Sequence, residues 1–304
     1  MRSYFVVNAL FHKRFMLTPV EREKFLKLLR QPDANTFFLM ILLSITQLFI
    51  AHSVDAFTFG FCIKVVCFGA PIAHLLYILS VDFASNLAFG YEYLDRISAI
   101  LGNLCTGVPY AELLRFFESE HRAFYNSRLH TDPNKPNKFE IAHVHGVGLK
   151  LLYLSLYPLV FSHRLLFRHK ISLTRFMSWN IVLQVIFNLV VWYFFGSITL
   201  LFLLCSTFVG MSPLHPSATH LLLEHQTVDH KIEKQITYSY YGIMNLWMCN
   251  AGYHREKHLE PKVPWSRIHL IRQLYYAEEK CNAFYTSILQ SLHDFVFLED
   301  IRLK

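Results

Sequence analysis

A chain of 304 residues that is 53% hydrophobic and 16% aromatic is too apolar to be disordered and requires a large buried or lipid-facing surface. Its formal net charge of +7 is gathered in short basic segments beside apolar runs, which suits membrane-flanking loops and argues against a nucleic-acid face; no aromatic-basic RNA motif or zinc-finger spacing accompanies it. The six cysteines lie mostly inside apolar runs without a CxxC pair, so a disulfide framework is not expected either.

The first 35 residues alternate basic and apolar positions and lack the uninterrupted apolar core of a cleaved signal peptide. Thr18 followed by Pro19, acids in the next turn and Lys24, Lys27 and Arg30 later predicts a short amphipathic helix on the cytosolic membrane surface. Thr36–Ala51 and Phe57–Leu79, the latter interrupted only by Lys64 and His74, read as a transmembrane hairpin turning near Asp55. Ile97–Tyr110 carries Gly102, Gly107 and Pro109 and is expected to be re-entrant or interfacial. Val147–Phe161 is a third candidate span. The long run Trp179–Val209 either tilts through one bilayer or breaks near Gly196. The expectation is an all-α integral membrane protein of about four transmembrane helices. Basic residues at both ends put both termini in the cytosol. Polar residues collect around Val81–Tyr93, Arg115–His145 and from Pro213 onward, forming a cytosolic histidine-bearing cap. A transporter finds little support, because the charges gather in loops and not at mid-membrane.

Histidines dominate that cap. His215, His220 and His225 are spaced by five, which does not put two imidazoles on one helical face; His254 and His258 have the i, i+4 spacing of two-histidine metal sites. His143 and His145 read as solvated surface. The neighbours of His254 carry more information: Thr237–Pro264, TYSYYGIMNLWMCNAGYHREKHLEPKVP, resembles the third histidine box of the sphingolipid Δ4-desaturases (dihydroceramide desaturases). The matches are Tyr238, Tyr240, Tyr241, Gly242, Asn245, Asn250, Gly252, Tyr253, His254, Glu256, His258 and Pro264. His215, Pro216, His220, Glu224 and His225 match the family's HP-x-x-x-H-x-x-x-E-H segment, and the resemblance extends from about Glu21 to Leu292.

The resemblance implies a multi-pass protein of the endoplasmic reticulum membrane in ceramide and sphingolipid metabolism. It further implies an oxygen-dependent oxidoreductase holding two irons, fed by cytochrome b5 and acting on dihydroceramide at C4 and C5. Three parts follow: an N-terminal membrane-surface segment (1–35), a desaturase-like membrane domain (36–292) and a C-terminal tail (293–304). Tyr238, Tyr241, Asn245, Asn250 and Tyr253 are expected to shape a lipid pocket or its scaffold. The ligand positions, however, depart from the family. H-E-x-x-H becomes VDFAS with Val81 and Ser85 as lost ligands, although Asn86, Ala88, Phe89 and Gly90 keep the segment behind it. The second box, FESEHR, places Phe117 and Glu120 at ligand positions and keeps His121 and Arg122; in the third, Lys257 replaces the middle histidine.

Valine and phenylalanine offer no lone pair, and lysine brings a cation where cations should bind. The expectation is therefore a catalytically impaired family member that retains a sphingolipid pocket, with His254 and His258 as capping or hydrogen-bonding residues. Three alternatives stay open: an active Δ4-desaturase with a variant metal site, a mixed carboxylate site using Glu120 with Asp82 nearby, and a single-metal site on His220, His254, His258 and Glu120; the candidate ligands, if a metal binds, are His121, His220, His254, His258 and Glu120.

Overall fold

The computed structural model describes residues 18–127, 136–168, 171–223, 238–275 and 284–298. They are overwhelmingly helical; the extended pairing among them is Ser239–Tyr240 beside Phe284–Tyr285, in parallel. Helix α1 (Pro19–Leu29) starts as the sequence predicts. Thr18 Oγ1 accepts from the Glu21 amide while the Glu21 carboxylate accepts from the Thr18 amide, a reciprocal cap with Pro19 in the first turn. Its apolar face does not lie open for lipid: Phe25, Leu26 and Leu29 are buried against Val263, Ile268 and Ile271.

Helices α2 (Asn35–His52) and α3 (Phe59–Ala84) form the predicted hairpin, and both are long and apolar enough to cross a membrane. Lys64 does not break the second of them, because its ammonium reaches back to the Ser53 carbonyl at 2.7 Å, beyond the end of α2. A cation there neutralises the negative end of the helix dipole, and its stem stays apolar. Within α3, Pro71 lacks an N–H and its ring excludes the carbonyl four residues back. The helix passes it by widening over Val65–Gly69.

Helix α4 (Glu92–Leu104) enters from the polar side, and the chain turns at 105–110 into α5 (Ala111–Ser127). Asn103 holds that turn: its Oδ1 accepts from the Tyr110 and Ala111 amides at 2.7 and 2.9 Å, and its Nδ2 donates to Gln184 Oε1 at 2.6 Å. A polar side chain satisfied in this way is how irregular backbone is tolerated at membrane depth.

The predicted span at Val147–Phe161 is not one helix. It divides into α7 (Gly146–Ser155) and α8 (Tyr157–Arg168), which follow the short α6 (Lys138–His143). Pro158 cannot continue a helix from α7 but is accepted in the first turn of the next. The apolar residues that suggested a span, Tyr153, Leu154 and Tyr157, are buried in the protein's own core.

The long run does break at Gly196, whose φ of 88° is left-handed backbone that glycine adopts without strain. Helix α9 (Arg175–Phe195) is the third helix of spanning length; α10 (Ser197–Gly210) is shorter. Asn188, before the break, donates to the Gly107 carbonyl, and Thr207, after it, donates to that of Thr106, so the chain doubles back. Helix α10 lies so close to α3 that a methyl group on Gly210 would run into the Ala70 carbonyl. Small residues at such crossings let membrane helices approach backbone to backbone. The outer faces of α2 and α9 expose large apolar side chains such as Phe49, Trp179, Leu189 and Tyr193, as lipid-facing helices do. The chain is an all-α membrane protein, with three helices of spanning length among the described residues and α10 as a shorter apolar helix beside them.

Candidate lipid cavity and histidine cluster

The polar segments converge over the ends of α3 and α5. A cavity of about 600 Å³ opens there, walled mostly by apolar side chains, among them Tyr77, Leu114, Phe161, Phe208 and Trp265. Pockets that bury small ligands have this size and balance. Its polar end carries His121, His254, His258, Lys257, Asp82 and Arg122.

The first-box region owes its shape to capping. Asn86, with φ 56°, ends α3 in the left-handed conformation that asparagine tolerates. Arg115 donates to its side chain at 2.8 Å and to the Phe83 carbonyl at 3.0 Å. Buried Asp95 accepts from the Ala88 and Phe89 amides at 3.2 and 3.3 Å. Burial raises the Asp95 pKa while these amides pull it down. The matched residues Asn86, Ala88 and Phe89 are thus parts of a turn. Of the two lost ligand positions here, Val81 lines the cavity, and Ser85 also lines it while accepting from the Arg122 guanidinium at 2.9 Å.

On α5 the cavity stripe is Leu114, Phe117, Glu118, His121 and Arg122, a helical i, i+3, i+4 set, with Leu113 beside it also lining the cavity. Glu120 falls off that stripe and does not line the cavity. Phe117 stacks on His121 with ring planes 9° apart and meets Phe161 edge-on, so an aromatic wall stands where the second box has a ligand.

The third-box segment is held by buried polar groups. Glu256, 3% exposed, accepts from Ser239 Oγ at 2.7 Å and Tyr241 Oη at 2.5 Å. Burial and then this carboxylate push the Tyr241 phenol above its usual range, keeping it a donor. Asn245 bonds the Tyr240 carbonyl and the Gly252 amide at 2.6 and 2.9 Å. Asn250 reaches the Trp265 carbonyl at 3.0 Å and, with Tyr253, lines the cavity. Tyr238 is buried beside this segment. Of the five residues expected at the pocket, Asn250 and Tyr253 face the cavity, Tyr241 and Asn245 build the frame behind it, and Tyr238 is buried. Cys249 also lines the cavity, but burial raises its thiol pKa to about 12, so it is a neutral wall group.

Helix α12 (His254–Leu259) brings two histidines to His121. The Nε2 atoms of His258 and His121 are 3.2 Å apart and those of His258 and His254 2.9 Å, and all three ligand atoms lie within 4.8 Å of one another. Every box histidine kept by the sequence is in this cluster.

Lys257 turns elsewhere in the same polar end. Its ammonium is 2.9 Å from Asp82 Oδ1 and 2.9 Å from the Val263 carbonyl, and the other Asp82 oxygen accepts from the Trp265 amide. A residue from the third box is thereby ion-paired to a residue of the first.

The cluster differs from the set His220, His254, His258 and Glu120. His220, in the short helix α11 (His220–Leu223), lines the cavity but sits 2.9 Å from His74 Nε2. His74 Nδ1 is 2.8 Å from the Gly210 carbonyl, which can only accept. In neutral rings the His74 proton is therefore on Nδ1, and His74 Nε2 accepts from His220 Nε2–H. That engages the His220 nitrogen within the protein. His215 Nε2 donates in the same manner to the Val66 carbonyl. His143 and His145 are exposed, as expected for surface residues. Glu224 and His225 lie outside the described residues. In the sequence His74 stands only as an interruption of an apolar run, and no motif there marks Glu118, Asp95 or Arg115.

Residues 88–290 match the family model described as fatty acid desaturase. The sphingolipid delta(4)-desaturase DES1 of Homo sapiens is 29% identical over 279 residues, covering 91% of this chain and 85% of its own. Its Xenopus tropicalis counterpart is 29% identical over 276 residues, covering 89% and 83%, and that of Gallus gallus 27% over 281 residues, covering 91% and 85%. No solved structure matches. With two thirds of its length under the family model, the chain belongs to the fatty acid desaturase family, and the relatives it resembles are sphingolipid Δ4-desaturases.

Proposed function

We propose that this protein binds a sphingolipid of the dihydroceramide or ceramide class in its cavity and has lost the di-iron oxidation that family members perform. The observation that carries the reading is what occupies the ligand positions. Val81 and Phe117 are apolar cavity wall, and Lys257 is an ammonium paired to Asp82. Two irons need more lone pairs than three imidazoles supply, and the carboxylate best placed to help is already neutralised by lysine. The donor set does not fit two irons. The residues instead serve binding: an apolar channel for hydrocarbon, with His121, Arg122, Asn250 and Tyr253 at the polar end for hydroxyl and amide groups. The endoplasmic reticulum membrane, with both termini cytosolic, is the proposed setting, following the basic ends and the family.

Convergence of the three histidines favours a second reading, an active Δ4-desaturase that introduces the C4–C5 double bond at a variant metal site with electrons from cytochrome b5. Metal-depleted protein separates the two. On the first reading it binds dihydroceramide saturably, and Leu113→Trp, which intrudes on the cavity, weakens binding. Each methylene kept from apolar burial costs about 0.8 kcal/mol, so excluding three lowers affinity by about 50-fold. Binding that requires metal, or that ignores Leu113→Trp, would overturn it.

A further inference from the structure

We infer that the three remaining box histidines form a mononuclear site for one divalent first-row ion such as Zn²⁺, Fe²⁺ or Co²⁺, at the polar end of the lipid cavity. A neutral imidazole nitrogen carries either one proton or one in-plane lone pair. His258 Nε2 is within hydrogen-bond distance of two other ring nitrogens, at 2.9 and 3.2 Å, and a single lone pair cannot point along both. A cation between the rings takes one lone pair from each. The two spacings to His258 suit it: nitrogens held at about 2.1 Å from one ion at angles of about 90–109° are about 3.0–3.4 Å apart, and His121 and His254, within 4.8 Å of one another, draw closer around the ion. An all-imidazole donor set selects the borderline divalent ions over Mg²⁺ or Ca²⁺. The donors come from two elements, His121 on α5 and the pair on α12, so an ion would also tie the third-box segment to the membrane helices.

Lys257 limits the site to one ion. Its ammonium, 2.9 Å from Asp82 and donating to the Val263 carbonyl, already supplies the positive charge between the first-box and third-box segments. A second dication there would face that charge and find Val81, Ser85 and Phe117 on the wall in place of imidazoles.

The test uses full-length protein in detergent, stripped with a chelator and titrated with Co²⁺ and then Zn²⁺. Co²⁺ absorption is expected to saturate at one equivalent per chain, with Zn²⁺ displacing it. His258→Ala is expected to weaken binding at least about tenfold, since even second-shell changes cost that much. His143→Ala, at an exposed histidine, leaves the titration unchanged. Should His258→Ala fail to fold, zinc-edge X-ray absorption on the wild type gives an independent readout: scattering from three imidazoles and no metal–metal vector. No saturable binding by folded protein, two equivalents, a metal–metal vector, or undiminished binding by folded His258→Ala would each overturn the inference.

Discussion

Lys257→Ala is expected to lower the unfolding free energy by about 2–4 kcal/mol, near the lower part of the range for breaking a buried ion pair. The Asp82 carboxylate is 3% exposed, and removing its cation leaves a buried charge with the Trp265 amide as its remaining donor among the described residues. The lysine side chain is 24% exposed, so water can reach part of the gap, which is why the upper end of the range is not expected. Asp82→Asn added to Lys257→Ala should recover most of the loss. The amide oxygen still accepts from Trp265, and the uncompensated charge is gone. Thermal unfolding in detergent, followed by circular dichroism, reads both variants. A double variant no more stable than Lys257→Ala would show that the ion pair is not what holds the third box to α3.

Arg164→Met should be still more costly, by about 3–5 kcal/mol, because both partners are buried, the Arg164 side chain being 1% exposed where that of Lys257 is 24%. The Arg164 and Glu140 side chains are 1% and 7% exposed and lie 2.7 Å apart, and the guanidinium also donates to Tyr153 Oη at 2.5 Å and to the second Glu140 oxygen at 3.0 Å. This bidentate fork ties α6 to α7 and α8, whose Tyr157 and Phe161 wall the cavity. Arg164→Lys keeps the charge but not the planar fork, and should recover only part of the loss. Arg164→Met with Glu140→Leu removes both charges and should lie closer to wild type in the same melt. Equal melting of Arg164→Met and wild type would contradict the assignment.

What the sequence discloses and what it hides divide along physical lines. Local signals are legible: the Thr18–Glu21 cap, the α2–α3 hairpin and the break at Gly196 each rest on residues adjacent in sequence. The span expected at Val147–Phe161 fails because a hydropathy window registers apolar content and not its destination. Pro158 ends the helical continuity, and Tyr153 and Leu154 turn to the protein core and not to lipid. The same limit applies to α1, whose apolar face finds Val263 and Ile271 more than 200 residues away. At the site, motif matching singles out His121, His254 and His258, and these do converge. It does not disclose that Asn245 and Tyr241 brace the backbone while Tyr253 faces the cavity. Nor does spacing reveal that His220 is engaged by His74 or that Lys257 meets Asp82, since those pairings depend on how distant segments dock.

Loss of oxidation with retention of binding is the central claim, and product analysis in cells lacking their own dihydroceramide desaturase tests it most directly. With the protein expressed in the membrane fraction and dihydroceramide supplied, mass spectrometry should detect no C4–C5 unsaturated ceramide above the empty-vector level. Ceramide formation that depends on this chain, and disappears in His254→Ala, would contradict the account.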